Sequence, residues 1–187
     1  MNKNNLTNFT AKNGAIIGAG FILAYMVTHL INGKLHTMND ISGNINSILL
    51  IAGIIIFTRK YRADFNRTYF PYGEAFKVGF FTSIFAAIVG AFFLYIYYSY
   101  ISPESLEQYL LLQQNAFLES GMAEEQASQM TGLMENMMSP GLMAFSSLLG
   151  NTIFGLIISL ITAAFLKRGT QDPDAFNKSM SELDKKE

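Results

Sequence analysis

The sequence predicts an all-α integral membrane protein, a four-helix bundle with an amphipathic helical hairpin in the loop between spans three and four. Of its 187 residues, 50% are hydrophobic and only 14% are charged, which is more apolar than an ordinary soluble domain. The apolar residues form four runs, each near the roughly 20 residues that cross a hydrocarbon core of about 30 Å. All but one of the Lys and Arg residues fall on one side of these runs. We therefore expect a single membrane domain over residues 1–187.

Polar loops separate the four runs. The second run is interrupted by Asn44 and Asn46, but we keep it as a span because otherwise the basic clusters would lie on opposite sides of the membrane. The first run follows Lys3 and Lys12 without a small-residue cleavage pattern, so we interpret it as a retained signal anchor. The predicted spans are Asn13–Ile31, Ile41–Phe57, Ala75–Ile101 and Gly141–Leu166.

Basic residues predict the orientation of the chain. Lys34 is the only Lys or Arg on its side of the spans, and residues 102–140 carry six Glu with no Lys or Arg. By the positive-inside rule, both termini, the central loop and the tail 167–187 are cytoplasmic, and the loop 102–140 faces outward. The main determinants are Arg59, Lys60, Arg62, Arg67, Lys77, Lys167 and Arg168.

Small residues recur four positions apart within the spans, beginning with Gly14 and Gly18 in the first. In lipid, such rows mark faces on which helices approach closely. We favour this packing interpretation over a polar path past Asn151, Ser147 and Thr152. The candidate packing residues are Gly79, Ser83, Ala87 and Ala91 in span three and Ser147, Asn151, Gly155 and Ser159 in span four.

Tyrosine and histidine residues lie near the ends of the spans. Because Trp is absent, we expect Tyr95, Tyr97, Tyr98 and Tyr100 to form an aromatic belt at the outer interface. His29 lies near the outer end of span one, where an ionisable group is a candidate proton relay or metal ligand. The sequence indicates no partner for His29, so we favour a neutral interfacial side chain.

The loop 102–140 has the features of a helical hairpin. Ser102-Pro103 and Ser139-Pro140 are N-cap signals, and Gly121 can end the first helix in a left-handed conformation. In the second arm, Met130, Met134 and Met137 lie on one side. Thioethers can bind Cu(I), but the arm has no His or Cys. We therefore interpret these methionines as a face for a partner protein, a second copy or the bundle.

The sequence contains no catalytic constellation. It has no nucleophile elbow, no phosphate-binding Gly loop and no His-Glu-x-x-His motif. The lack of Cys removes disulfides and thiolate chemistry. We therefore predict no catalytic residues, cofactor, metal site or nucleic-acid partner.

Several motifs resemble a known family. They are Arg59-Lys60-Tyr61-Arg62, the Tyr-Gly-Glu-Ala-Phe-Lys-Val-Gly segment at 72–79, Tyr100-Ile101-Ser102-Pro103, and the final Lys167-Arg168. Together they resemble the bacterial four-span membrane family catalogued as domain of unknown function 4199, over nearly the whole chain. The resemblance implies a multi-pass protein of the bacterial inner membrane. It supplies no activity and no binding residues.

Two functions remain open. The first is a non-enzymatic structural or partner-binding membrane protein whose contacts, besides the lipid bilayer, run through the outer hairpin. The second is a subunit of a small-solute transporter or channel, which would need Asn151, Ser147 and His29 to line a wet cavity near the bilayer midplane.

The charge asymmetry predicts the outcome of reporter fusions. Fusions after Lys60 and after Leu166 should behave as cytoplasmic and one at Gly121 as external, because basic segments resist translocation. Paired alkaline phosphatase and green fluorescent protein fusions at each position measure this. A cytoplasmic signal at Gly121 would reverse the orientation.

Overall fold

The computed structural model describes residues 3–32, 41–65 and 69–168. The predictions on Lys34, on Arg67 and on the tail after residue 168 lie outside the described residues. Six helices make up nearly all of the described chain. They are α1 (Lys3–Asn32), α2 (Ile41–Asp64), α3 (Tyr72–Ile96), which continues as a π-helical turn (Tyr97–Ile101), α4 (Glu104–Glu119), α5 (Glu124–Met137) and α6 (Pro140–Leu166).

Three segments are long and apolar enough to cross a membrane, and they coincide with the first, third and fourth predicted spans. The described residues contain no strand, only an isolated bridge between Phe70 and Arg168, so the all-helical fold is confirmed. Because α2 has Asn44 and Asn46 near its start and basic residues near its end, the helix as a whole is less apolar than these three segments. That α2 also crosses stays a prediction. The three segments are Asn5–Ile31, Tyr72–Ile101 and Pro140–Leu166.

Helices α1 and α3 lie side by side and run in the same direction. Gly14 and Gly18 approach α3 so closely that a Cβ on either would come within 2.5 Å of a side-chain carbon. Further along, the rings of Tyr25 and Phe93 stack with their centroids 5.9 Å apart. Small residues in the middle of α1 thus let two backbones meet, and aromatic rings pack between the helices beyond them.

Helices α3 and α6 run antiparallel and make the most extensive contact between any two of the described helices. A Cβ at Gly79 would lie 2.9 Å from Ser159 Oγ, and one at Gly155 would collide with the Ser83 side chain. Gly79 and Ser83 of the row in span three therefore face Ser159 and Gly155 of the row in span four. Ala87 and Ala91 are buried, and Ser147 and Asn151 are half-buried.

Helix α2 packs antiparallel to α1. Gly53 lies against Ile17, and a Cβ at Gly20 would lie 3.4 Å from Leu49. Near the end of α2, Tyr61 is only 1% exposed and packs with residues from the beginning of α1 and α3 and the end of α6. We call this end of the helices, which carries the basic residues of α2 and those after α6, the basic end.

Local signals end and begin the helices of the second half. Gly121 has a φ of 88°, and its N–H donates to the carbonyl of Leu118 (3.0 Å) while that of Met122 donates to Phe117 (3.1 Å). This is a Schellman motif, which confirms the left-handed end predicted at Gly121. The Ser139 hydroxyl accepts a hydrogen bond from the N–H three residues on at 3.2 Å, which confirms it as the N-cap of α6.

The contact between α3 and α6 predicts the effect of filling it. Gly155→Leu should lower the free energy of unfolding by about 2 kcal/mol, because the new side chain would force the two helices apart. Gly150→Leu is the matched control, since a Cβ there has nothing within 4 Å. Thermal unfolding in detergent measures both. Equal melting of the two variants would mean that the row at Gly155 does not hold the helices together.

Candidate functional site

At the end opposite the basic end, a polar contact joins α1 to the π-helical turn. His29 Nδ1 and the Tyr97 hydroxyl are hydrogen-bonded at 2.7 Å, with the two rings edge to face and their centroids 5.5 Å apart. Tyr97 is fully buried and His29 half-buried. The expectation that His29 has no partner is therefore wrong.

The contact continues into the start of α4. The Tyr97 hydroxyl lies 3.4 Å from Ser105 Oγ, which is 2.7 Å from Ser102 Oγ. Ser102 Oγ in turn donates to Glu104 Oε1 at 3.0 Å. We call these five residues the His29 network. It connects a half-buried imidazole to a surface carboxylate through three buried hydroxyl groups.

The π-helical turn is what brings these groups together. The N–H of Ser102 donates to the carbonyl of Tyr97 at 2.9 Å, five residues back rather than four. A π turn holds one residue more than an α turn and often marks a functional site. Instead of capping α4 as predicted, Ser102 directs its hydroxyl to Ser105 and Glu104, and α4 begins at Glu104 without a side-chain cap.

The pKa of Glu104 lies below its ordinary value. The main cause is a hydrogen bond from its own backbone N–H, followed by the one from Ser102 and a weaker attraction to His29. A carboxyl whose pKa is lowered by folding stabilises the fold above its ordinary pKa. That stabilisation is lost as the pH falls through the lowered value.

The groups of the network can hold or transfer protons. Its main effect is structural, because the hydrogen bonds connect α4 to the membrane helices. Each hydroxyl acts as donor and acceptor, so the chain of contacts fixes α4 to α1 and α3. In the described residues, no three His, Cys, Asp or Glu side chains are grouped so that they could hold a metal ion. We therefore interpret the network as the joint that holds the α4–α5 pair on the membrane helices.

The predicted tyrosine belt is divided by the structure. Tyr97 and Tyr98 are buried, at 0% and 2% exposure, whereas Tyr95 and Tyr100 are exposed, at 44% and 76%. The prediction is therefore wrong for the first two, because Tyr97 turns toward α1 and α4 and Tyr98 belongs to the same buried cluster. Tyr95 and Tyr100 stay available for a belt.

Two residues of the candidate polar path, Asn151 and Ser147, are hydrogen-bonded to each other within α6. Asn151 Nδ2 donates to the carbonyl of Ser147 at 2.9 Å and to its hydroxyl at 3.1 Å. A cavity of about 270 Å³ between α3 and α6 has an apolar lining that includes Ala91, Tyr95 and Leu148 but neither of these two residues. His29 lies beside Tyr97, so the structure does not bring it together with Asn151.

The predicted topology determinants within the described residues lie near the basic end. Arg59 and Lys60 are exposed on the last turns of α2, and Lys77 is exposed on α3. Arg62 Nη1 donates to the carbonyl of Leu166, the last residue of α6, at 3.2 Å. Lys167 and Arg168 follow directly and are exposed.

The methionine face of α5 is split. Ala127 is fully buried and faces α4, the helix that α5 contacts most. Met134 lies on the same side of α5 as Ala127 and is half-buried. Met130 and Met137 are 44% and 66% exposed. Leu133 lies between them at spacings of three and four and is 64% exposed. These three residues form what we call the α5 stripe.

Sequence reasoning missed Tyr97 and Ser105 as partners of His29. The π turn that aligns them has no sequence signature of its own, and the residues come from distant segments. It also did not predict the burial of Asn46, whose side chain is 5% exposed with no hydrogen-bond partner for either amide atom in the described residues. Leaving such a group unpaired costs about 1–3 kcal/mol.

A family model described as "Protein of unknown function (DUF4199)" matches residues 12–168. The chain belongs to this family. Comparison with curated proteins and with solved structures gave no significant match.

The His29 network predicts the cost of removing its central hydroxyl. Tyr97→Phe should lower the free energy of unfolding by about 1–2 kcal/mol, because His29 and Ser105 both lose a buried partner. Tyr100→Phe is the matched control, since that side chain is 76% exposed on the same turn. Thermal unfolding and limited proteolysis of α4 measure the effect. If both variants behave like the parent, the network does not fix α4.

Proposed function

We propose that this DUF4199 protein is a non-enzymatic, four-span protein of the bacterial inner membrane that presents its α4–α5 hairpin to a partner protein outside the membrane. The observation that carries the proposal is the α5 stripe. Its Met130, Leu133 and Met137 side chains are exposed, although apolar side chains at helical spacing ordinarily cover a surface. An exposed apolar stripe with a polar rim is typical of a protein interaction site.

Charge supports a protein rather than the lipid surface as the occupant. Glu124, Glu125 and Glu135 lie on α5, and residues 102–140 contain no Lys or Arg. Anionic headgroups would repel this surface, since helices that bind along a membrane carry Lys and Arg on their polar face. We therefore expect a partner with an apolar groove bordered by basic side chains.

The His29 network supports a fixed presentation of the hairpin. It joins the base of α4 to α1 and α3 through buried and half-buried hydrogen bonds, so little conformational freedom is lost when a partner docks. The internal hydrogen bonds of Asn151 weigh against the transporter alternative. A transported solute would need that amide to face a cavity.

Site-specific photo-crosslinking in intact cells tests the proposal. A photoreactive residue at Leu133 should give a discrete protein adduct, and one at Ser128, exposed on another side of α5, should not. An adduct near twice the 20.8 kDa of the chain would identify a second copy instead. Lipid adducts alone would reject the protein partner.

The stripe predicts a contrast between two double variants. Met130→Gln with Met137→Gln should reduce the Leu133 adduct by about tenfold, because each amide would be desolvated without a partner. Met130→Leu with Met137→Leu should preserve it, since the swap nearly conserves volume. Both should melt like the parent because these side chains are exposed. Loss of the adduct in the Leu variant together with loss of Cu(I) binding would indicate metal ligation instead.

A further inference from the structure

A groove between α2 and α6 opens at the basic end. It encloses about 350 Å³ and is lined by Ile55, Arg59, Ile161, Thr162, Phe165 and Leu166. Phe165 is 83% exposed and Ile161 51%, so these side chains face the hydrocarbon when α6 crosses the membrane. The groove is therefore apolar along its length with one cation in its wall.

Further basic residues lie at the same end of these helices, and backbone contacts hold two of them there. Arg62 is tied to the end of α6 through its bond to the Leu166 carbonyl. Arg168 exchanges two backbone hydrogen bonds of 2.9 Å with Phe70. Lys167 lies between Leu166 and Arg168 in sequence, and among the described residues no acidic side chain lines the groove. Four cationic side chains thus come from two helix ends that meet in space.

We propose that this groove binds one anionic phospholipid, with an acyl chain along Ile161 and Phe165 and the phosphate group against Arg59. A groove on the lipid-facing surface is always covered by something apolar, and an acyl chain fits a lining of Ile, Phe and Leu. Arg at the end of a span lies at headgroup level. Its planar guanidinium binds phosphate through two parallel hydrogen bonds.

Charge also distinguishes the lipid from a protein helix in the same groove. An apolar helix seated there would remove Arg59 from water without supplying an opposite charge, which is costly. A phosphate supplies that charge. Basic pockets between transmembrane helices are suited to anionic headgroups because each Lys or Arg near the surface adds to the attraction.

The lack of Trp in the chain gives a direct test. Phe165→Trp places one fluorophore in the groove of the full-length protein. The variant is reconstituted into phosphatidylcholine vesicles in which dibrominated phosphatidylglycerol or dibrominated phosphatidylcholine replaces increasing fractions of the lipid. Bromine quenches Trp on contact, so half-quenching reports occupancy. We expect phosphatidylglycerol to reach half-quenching at about a fivefold lower fraction.

Two charge variants in the Phe165→Trp background separate a site from general attraction. Arg59→Gln should remove the preference, and Lys60→Gln, which deletes a charge one residue away and outside the groove lining, should keep it. Circular dichroism confirms equal helix content. Equal quenching by both lipids in the parent, a preference that survives Arg59→Gln, or equal loss in both variants would overturn the proposal. Reversal of the preference by excess inorganic phosphate would show that free phosphate, not a lipid, is the ligand.

Discussion

In lipid, two helices gain little by hiding apolar side chains from each other, so they associate where their backbones can approach closely. Helix α3 meets this constraint on two sides. Gly14 and Gly18 of α1 reach it on one side, and on the other Gly155 of α6 closes on Ser83. A bulkier residue at any of these positions would separate the helices. The positions of all the groups at both ends therefore depend on these contacts.

The His29 network follows from the register between α1 and α3. The same offset of 68 residues that pairs His29 with Tyr97 also stacks Tyr25 on Phe93, one turn below. Once the small residues have set that register, the imidazole meets the tyrosine hydroxyl. The π turn then carries the hydrogen bonds into α4. Packing within the apolar helices thus determines where the polar α4–α5 pair begins.

The two ends of the molecule present opposite chemistry. At one end, the exposed apolar α5 stripe belongs to a segment that carries Glu and no Lys or Arg. At the other, Arg59 lines an apolar groove between α2 and α6, and further Arg and Lys residues lie at the same end. The proposed partner protein and the proposed anionic lipid would therefore bind at separate surfaces with complementary charge. A protein that bridges a membrane and an external partner needs both a lipid-facing and a partner-facing surface, and the chain separates them by the length of its helices.

Features that depend on neighbours along the chain were determined by the sequence alone. Gly121 and Ser139 end and begin helices as predicted, because caps involve residues three to five apart. The spacing of four in the small-residue rows likewise follows from helix geometry. The length and composition of the apolar runs predicted the membrane fold, since the bilayer thickness fixes how many residues are needed.

Tertiary structure decided which residues meet across the helices. The sequence around His29 does not indicate Tyr97 as its partner, because their pairing depends on the register between α1 and α3. The same reason explains why one predicted methionine face became a half-buried Met134 and an exposed Met130 and Met137: α4 approaches α5 from one side only. The groove at Arg59 likewise exists because α2 and α6, which are distant in sequence, end side by side. Local geometry is encoded within a few residues, whereas these sites depend on contacts among whole helices.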